Sequence, residues 1–270
     1  YAQRYNAAGV AQGAAILVNT TTTDVQDWPV VAMDPSGNFV VGWNSNAQDG
    51  SGWGIYARRF NAAGVAQGSE FCVNSSTSGN QEGVSIGMAD DGSFVMAFTD
   101  FNSTSGDVYV QRYNASGVAQ GGNVRVNTAT ANPQRFCEIA VNGSGNFVVV
   151  WESQNQDTGT SWGIYGQRYS ASGVAQGGEF LINTTTSGDQ RVPAVGIDAA
   201  GNFVVAWESV TQDPGSNNGI YAQRFNAVGV AQGGEFRVNS TTANAQTAPA
   251  IAMTPSGKFI VSWISNSQDA

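Results

Sequence analysis

Five carboxylates interrupt an otherwise regular sequence: Glu82, Asp100, Glu138, Glu152 and Glu208. Two such groups held about 5 to 10 Å apart are what glycoside hydrolysis requires, one as proton donor and the other as base or nucleophile. Glu152 and Glu208, however, fill one equivalent position, which Asn44, Thr99 and Ile264 fill elsewhere. A position so freely replaced reads as a solvated strand residue, so the expectation is that the chain is not an enzyme. There is no His, which removes Ser-His-Asp and Cys-His catalysis and most zinc sites. Asp49-Gly-Ser-Gly and Asp90-Asp91 are oxygen-rich turns without the alternating carboxylates and terminal Glu of a calcium loop. No metal and no cofactor is expected.

A second set of residues suits sugars. Gln26, Gln81, Gln134, Gln190 and Gln246 recur at one position, and Asp49, Asp157, Asp213 and Asp269 at another. Trp53 and Trp162 lie close to two of these aspartates. Amides and carboxylates bond to hydroxyls, and an indole covers a sugar's apolar face. A ligand-binding role is expected of all eleven. Arg4, Arg59, Arg112, Arg168 and Arg224 are invariant among the copies. Each lies mid-strand among apolar neighbours, so they are expected to be structural, buried between blades with their heads on carbonyls or an acid.

All of these residues belong to one repeat. Tyr1, Tyr56, Tyr109, Tyr165 and Tyr221 open the same phrase, 55, 53, 56 and 56 residues apart. Each copy reads as four short strands. In the copy around Trp28, an apolar run ends at the turn Asp34-Pro35-Ser36-Gly37, and Phe39, Val41 and Trp43 then alternate on one face. Next come a loop, a strand through Tyr56 and Phe60, a Gly-punctuated turn, and a last strand at Phe71. Four strands in about 54 residues, repeated, match the blades of a β-propeller. The expected fold is all-β: a single five-bladed β-propeller over residues 1–270, four antiparallel strands per blade. The blade shared by 249–270 and 1–19 would close the ring, strand 258–264 pairing with strand 1–6. Only the loop between second and third strands varies in length, so binding is expected on its face.

Charged residues are 11% of the chain and the net charge is −9, which disfavours nucleic acid and anionic membranes as partners. No apolar run approaches a membrane span, so no membrane insertion is expected. Cys72 and Cys137 occupy different repeat positions in non-adjacent blades and are expected to be free thiols. Seven Asn-x-Ser/Thr sequons favour a secreted or cell-surface location.

The phrases GNFVVVWES (145–153), DGSGWGIYARRF (49–60) and GGEFRVN (233–239) resemble a tandem repeat of large secreted or surface-anchored, adhesin-like bacterial proteins. The count of five is similar in architecture to tachylectin-2. The resemblance implies an extracellular module. The expected function is a non-catalytic scaffold for adhesion or assembly, with glycans, other surface proteins or self-assembly as partners. A multivalent glycan-binding lectin is the alternative and a glycoside hydrolase the third reading. Five near-identical blades argue against an asymmetric active site.

Overall fold

The computed structural model describes residues 1–102, 105–157, 161–215 and 217–266. Blade I holds β1 (Gln26–Met33), β2 (Phe39–Asn46), β3 (Trp53–Phe60) and β4 (Phe71–Cys72). Blade II holds β5 (Gln81–Met88), β6 (Phe94–Asp100), β7 (Asp107–Tyr113) and β8 (Val124–Arg125). Blade III holds β9 (Gln134–Val141), β10 (Phe147–Gln154), β11 (Trp162–Tyr169) and β12 (Phe180–Leu181). Blade IV holds β13 (Gln190–Ile197), β14 (Phe203–Asp213), β15 (Asn217–Phe225) and β16 (Phe236–Arg237), and blade V holds β17 (Gln246–Met253) and β18 (Phe259–Ser265). All pairing within blades is antiparallel and sequential. The protein is all-β among the described residues.

The core lies between blades. A strand presents alternate side chains to its two faces, and the second strand of a blade spends both on apolar contacts. In β10, Phe147, Val149 and Trp151 pack toward blade II, and Val148 and Val150 toward blade IV. This is why the second strands are continuous apolar runs. The first strands pack as a row: β1 on β5, β5 on β9, β9 on β13, β13 on β17.

Neighbouring blades are also stapled. Arg4 Nη1 donates to the Ala62 carbonyl at 2.5 Å, Arg59 Nη2 to Ala115 at 2.7 Å, and Arg168 Nη1 to Ala227 at 2.7 Å. Arg59 and Arg168 each reach from one blade to the next, and Arg4 reaches from the N-terminal segment to blade I. Arg112 stacks over Gly173, where a Cβ would stand 2.7 Å from its Nη1. Contrary to expectation these side chains are half-buried, and Arg224 is exposed: their heads reach carbonyls at the rim of the sheets. A carboxylate provides a second staple in the reverse direction. Glu70 accepts from the backbone N–H groups of Thr20 and Thr21, Glu179 from Thr128, and Glu235 from Thr184.

Among the described residues no pairing of 258–264 with 1–6 is recorded. β17 and β18 form a two-stranded sheet on blade IV, whereas Ala2, Ile16 and Val18 pack on blade I. Between the N-terminal segment and blade I runs a groove of about 560 Å³, lined by Tyr1, Tyr5, Val31 and Met33 among others. Both staples are missing at this seam. Arg224, whose counterparts cross to the next blade, bonds within its own blade to Gln232 at 3.3 Å. The stapling position of Glu70, Glu179 and Glu235, fourteen residues after each Tyr, falls on Ala15 in the first copy.

Candidate functional site

Every first strand breaks its register at the same place, just after the invariant Gln. The residue in the bulge has positive φ in all five blades: Trp28 +48°, Gly83 +70°, Phe136 +50°, Val192 +49° and Ala248 +50°. For an aromatic or β-branched residue this costs about 1–3 kcal/mol, and bulges of this kind re-aim side chains. Here each bulge falls at the end of the first strand that faces the loops of variable length, which we call the mouth. Trp28 is 60% exposed there.

The residue before each bulge varies: Asp27, Glu82, Arg135, Arg191 and Thr247. Its register partner on the second strand varies with it. Arg135 faces Glu152 and Arg191 faces Glu208, Asp27 faces Asn44, Glu82 faces Thr99, and Thr247 faces Ile264. The two arginines therefore meet acids, and the two acids meet neutral groups. Glu152 accepts from Arg135 Nε at 3.1 Å and from the Val192 N–H at 2.7 Å. Glu208 accepts from Asn218 at 2.7 Å. The expectation that this position is solvated fails for both: they are 1% and 9% exposed. Burial pushes both carboxyls up, against the pull of these hydrogen bonds.

Asp27 and Glu82 lie on adjacent first strands and line one cavity of about 330 Å³. Trp28, Trp53, Phe101 and Phe136 supply its aromatic walls, with Asn44 and Arg135 among its polar lining. Burial, and next the charge of Asp27, push the Glu82 carboxyl above its ordinary value. Oδ1 of Asp27 and Oδ1 of Asn44 are buried without a hydrogen-bond partner among the described residues. Native structures leave few such atoms unsatisfied. Two in one cavity mark a place that water or a ligand completes.

The residues read from sequence as sugar contacts mostly serve the fold. Gln81, Gln134, Gln190 and Gln246 are wholly buried. Gln134, Gln190 and Gln246 accept the indole N–H of Trp151, Trp207 and Trp263 at 2.8, 2.8 and 2.9 Å. Gln26 accepts from Asn19 at 3.1 Å. Asp49 and Asp213 accept from Asn74 at 3.0 Å and Asn239 at 2.7 Å. Asp157 lies over Gly163, where a Cβ would stand 3.0 Å from its carboxylate. In blade II, Asp107 takes the same role toward Asn127 at 2.7 Å. Asp269 lies outside the described residues. Only Trp53 and Trp162 of the expected set reach the mouth: Trp53 lines the cavity, and Trp162 stacks beneath Arg135. Of the cavity's charged groups, the sequence singled out Glu82 among its candidate carboxylates but neither Asp27 nor Arg135, although a signal existed. The residue after the invariant Gln is the point where five similar copies differ most in chemistry.

No protein-family model matches the chain, and no curated protein does. The likeness to adhesin-type repeats thus finds no support. Solved structures do match. A protein of unknown function from Dyadobacter fermentans aligns at TM-score 0.63 and 9% identity, over 92% of this chain and 77% of that one. An α-L-arabinanase of Penicillium chrysogenum, complexed with arabinobiose, aligns at 0.59 and 13%, over 93% and 80%. An endo-arabinase of Bacteroides thetaiotaomicron aligns at 0.51 and 15%, over 94% of each chain. The fold is that of a β-propeller with repeated blades. These neighbours also correct the expectation of a non-catalytic scaffold that is not an enzyme. The matches with a named activity are mostly glycoside hydrolases, so a bladed architecture is no argument against catalysis. The asymmetric mouth removes the other half of that argument, because the five copies do not present the same groups there.

Proposed function

We propose that the chain is a glycoside hydrolase acting at the mouth, with Glu82 as general acid and Asp27 as base or nucleophile. The observation that carries this reading is the pair itself. Two carboxylates without a cationic partner share an aromatic-walled cavity, and burial and then the charge of the other push one of them, Glu82, above its ordinary value. An environment that raises one acid of a pair favours that acid as the proton donor. Aromatic walls provide stacking for pyranose or furanose rings, and the unpartnered oxygens of Asp27 and Asn44 accept from sugar hydroxyls. Neighbours that cleave arabinan share the fold, which raises that substrate class first.

This reading takes residues 1–270 as one unit. Residues 1–19 then complete blade V by pairing with the free edge of β18, as the third and fourth strands do in the other blades. A secreted or cell-surface location fits a polymer that lies outside the cell.

The test is an assay on a panel of neutral and acidic polysaccharides, with products resolved by chromatography and NMR. Glu82→Gln and Asp27→Asn should each lower kcat by about 10²–10⁴ without shifting the melting temperature downward. The anomer first released distinguishes a nucleophile from a base at Asp27. If no glycan is cleaved, or both variants cleave as the parent does, the proposal is wrong.

A further inference from the structure

Arg135 is the most constrained cation at the mouth. Its guanidinium carbon stands 3.9 Å from the centroid of a Trp162 ring and 4.9 Å from that of Phe136. Its Nε donates to Glu152 Oε2 at 3.1 Å. Nη1 and Nη2 have no hydrogen-bond partner among the described residues, and the side chain lines the cavity of Asp27 and Glu82. Among those residues its one ion pair within 4.0 Å is with Glu152, and neither cavity acid reaches it. Arg191, the other arginine at this position, lies 5.7 Å from Trp162 and is engaged by Asp189 at 2.6 Å. Two aromatic rings and one carboxylate therefore fix the plane of Arg135 and leave its outer edge of N–H groups open to the cavity.

We infer that this edge reads a carboxylate on the substrate, so that the cavity accepts a uronic acid residue of an acidic glycan. The inference rests on the reading of the mouth as a glycan site. A planar guanidinium presents two parallel N–H donors at the spacing of a carboxylate's two oxygens. Sugar hydroxyls need no such fork, and single amides such as Asn44 already serve them. Stacking on Trp162 and Phe136 removes the rotational freedom that a free Arg would lose on binding. The bond to Glu152 occupies Nε, so the donors that remain are the outer pair.

The experiment titrates the full chain carrying Glu82→Gln, so that binding is read without turnover. The probes are a defined galacturonate trimer, the same trimer with its carboxyls reduced to hydroxymethyl groups, and a neutral trimer bearing sulfate esters. Calorimetry is expected to show the uronate binding at least about tenfold tighter than the reduced trimer. Adding Arg135→Gln should bring that ratio close to one, and Arg135→Lys should restore only part of it. The triple variant with Glu152→Gln guards against a fold defect from an unpaired buried Glu152, and should also lack the preference. Equal affinity for uronate and reduced trimers overturns the inference, as does tightest binding of the sulfated trimer. So does Arg135→Gln weakening all probes by one factor. Cleavage of neutral glycans by the parent, with no acid preference, overturns the carboxylate reading and leaves hydrolysis standing. Absence of cleavage on any glycan removes the broader proposal instead.

Discussion

The Trp207 indole N–H donates to the Gln190 side-chain oxygen at 2.8 Å, with both residues wholly buried. Gln190 in turn donates to the carbonyls of Ser187 and Gly188 at 3.4 Å. One amide thus ties the loop entering a blade to the hydrophobic core of that blade. Gln190→Ala leaves the indole unpaired and the loop untethered, so it should destabilise the protein by about 1–3 kcal/mol. Urea unfolding measures this. An unchanged midpoint, together with a lost binding activity, would return Gln190 to the role the sequence suggested.

The Glu82 carboxyl should titrate above its ordinary value, since burial and then the charge of Asp27 both disfavour its anion. A general acid works while protonated. The rate should therefore fall as pH rises through the Glu82 pKa, on a limb more alkaline than an ordinary glutamate would give. Carbon-detected NMR of the carboxyl groups reads the titration directly. Asp27→Asn should move the Glu82 midpoint down. If it stays in place, the two groups are not coupled and the assignment of roles fails.

Glu235 behaves in the opposite sense. Burial pushes its pKa up, but hydrogen bonds from the Thr185 hydroxyl, the Thr184 N–H and Gln212 outweigh that and hold it below its ordinary value. A depressed folded pKa contributes stability above the unfolded value, near 4.3, and that stability is lost as pH falls through the folded value. Glu235→Gln should lower the melting temperature at neutral pH and flatten its decline in acid. Parallel curves for parent and variant between about pH 3 and 7 would show that the staple contributes nothing.

Ala15 stands where Glu70, Glu179 and Glu235 stand in other copies. If residues 1–19 complete blade V, Ala15→Glu should place a carboxylate near the N–H groups of Ser240 and Thr241. A charge-assisted bond of that kind contributes about 1.5–3 kcal/mol, visible as a higher melting temperature. Truncation of 249–270 should then abolish cooperative unfolding. A truncated chain that melts as the parent does, with Ala15→Glu neutral, would show that the ring stays open.

The blades were legible because their signals are repeated five times. Turn residues such as Pro35 and Gly37, the alternation through Phe39, Val41 and Trp43, and the four-strand period all survive in the structure. The site was not legible by the same logic. Invariance among copies points to what every blade needs, and so it led to Gln134 and Asp213, which hold the frame. The groups proposed for chemistry, Asp27, Glu82 and Arg135, sit where the copies diverge. Seeing this requires the bulge at Trp28, Gly83 and Phe136, because a regular strand would put the preceding residue at an ordinary ladder position. Glu152 was misread for the same reason: its replaceability follows that of its register partner Arg135, and solvation plays no part.

The staples of Arg4, Arg59 and Arg168, and of Glu70, Glu179 and Glu235, each reach one blade away and no farther. Under tension applied at the two termini, such a chain has no long-range tie to share the load. Extension should therefore begin beside Ala15 and Arg224, where both staples are missing, and proceed blade by blade. Each release frees about 54 residues, or about 190 Å of contour at full extension. A force trace would show a short series of nearly equal steps, preceded by one weak event at the seam.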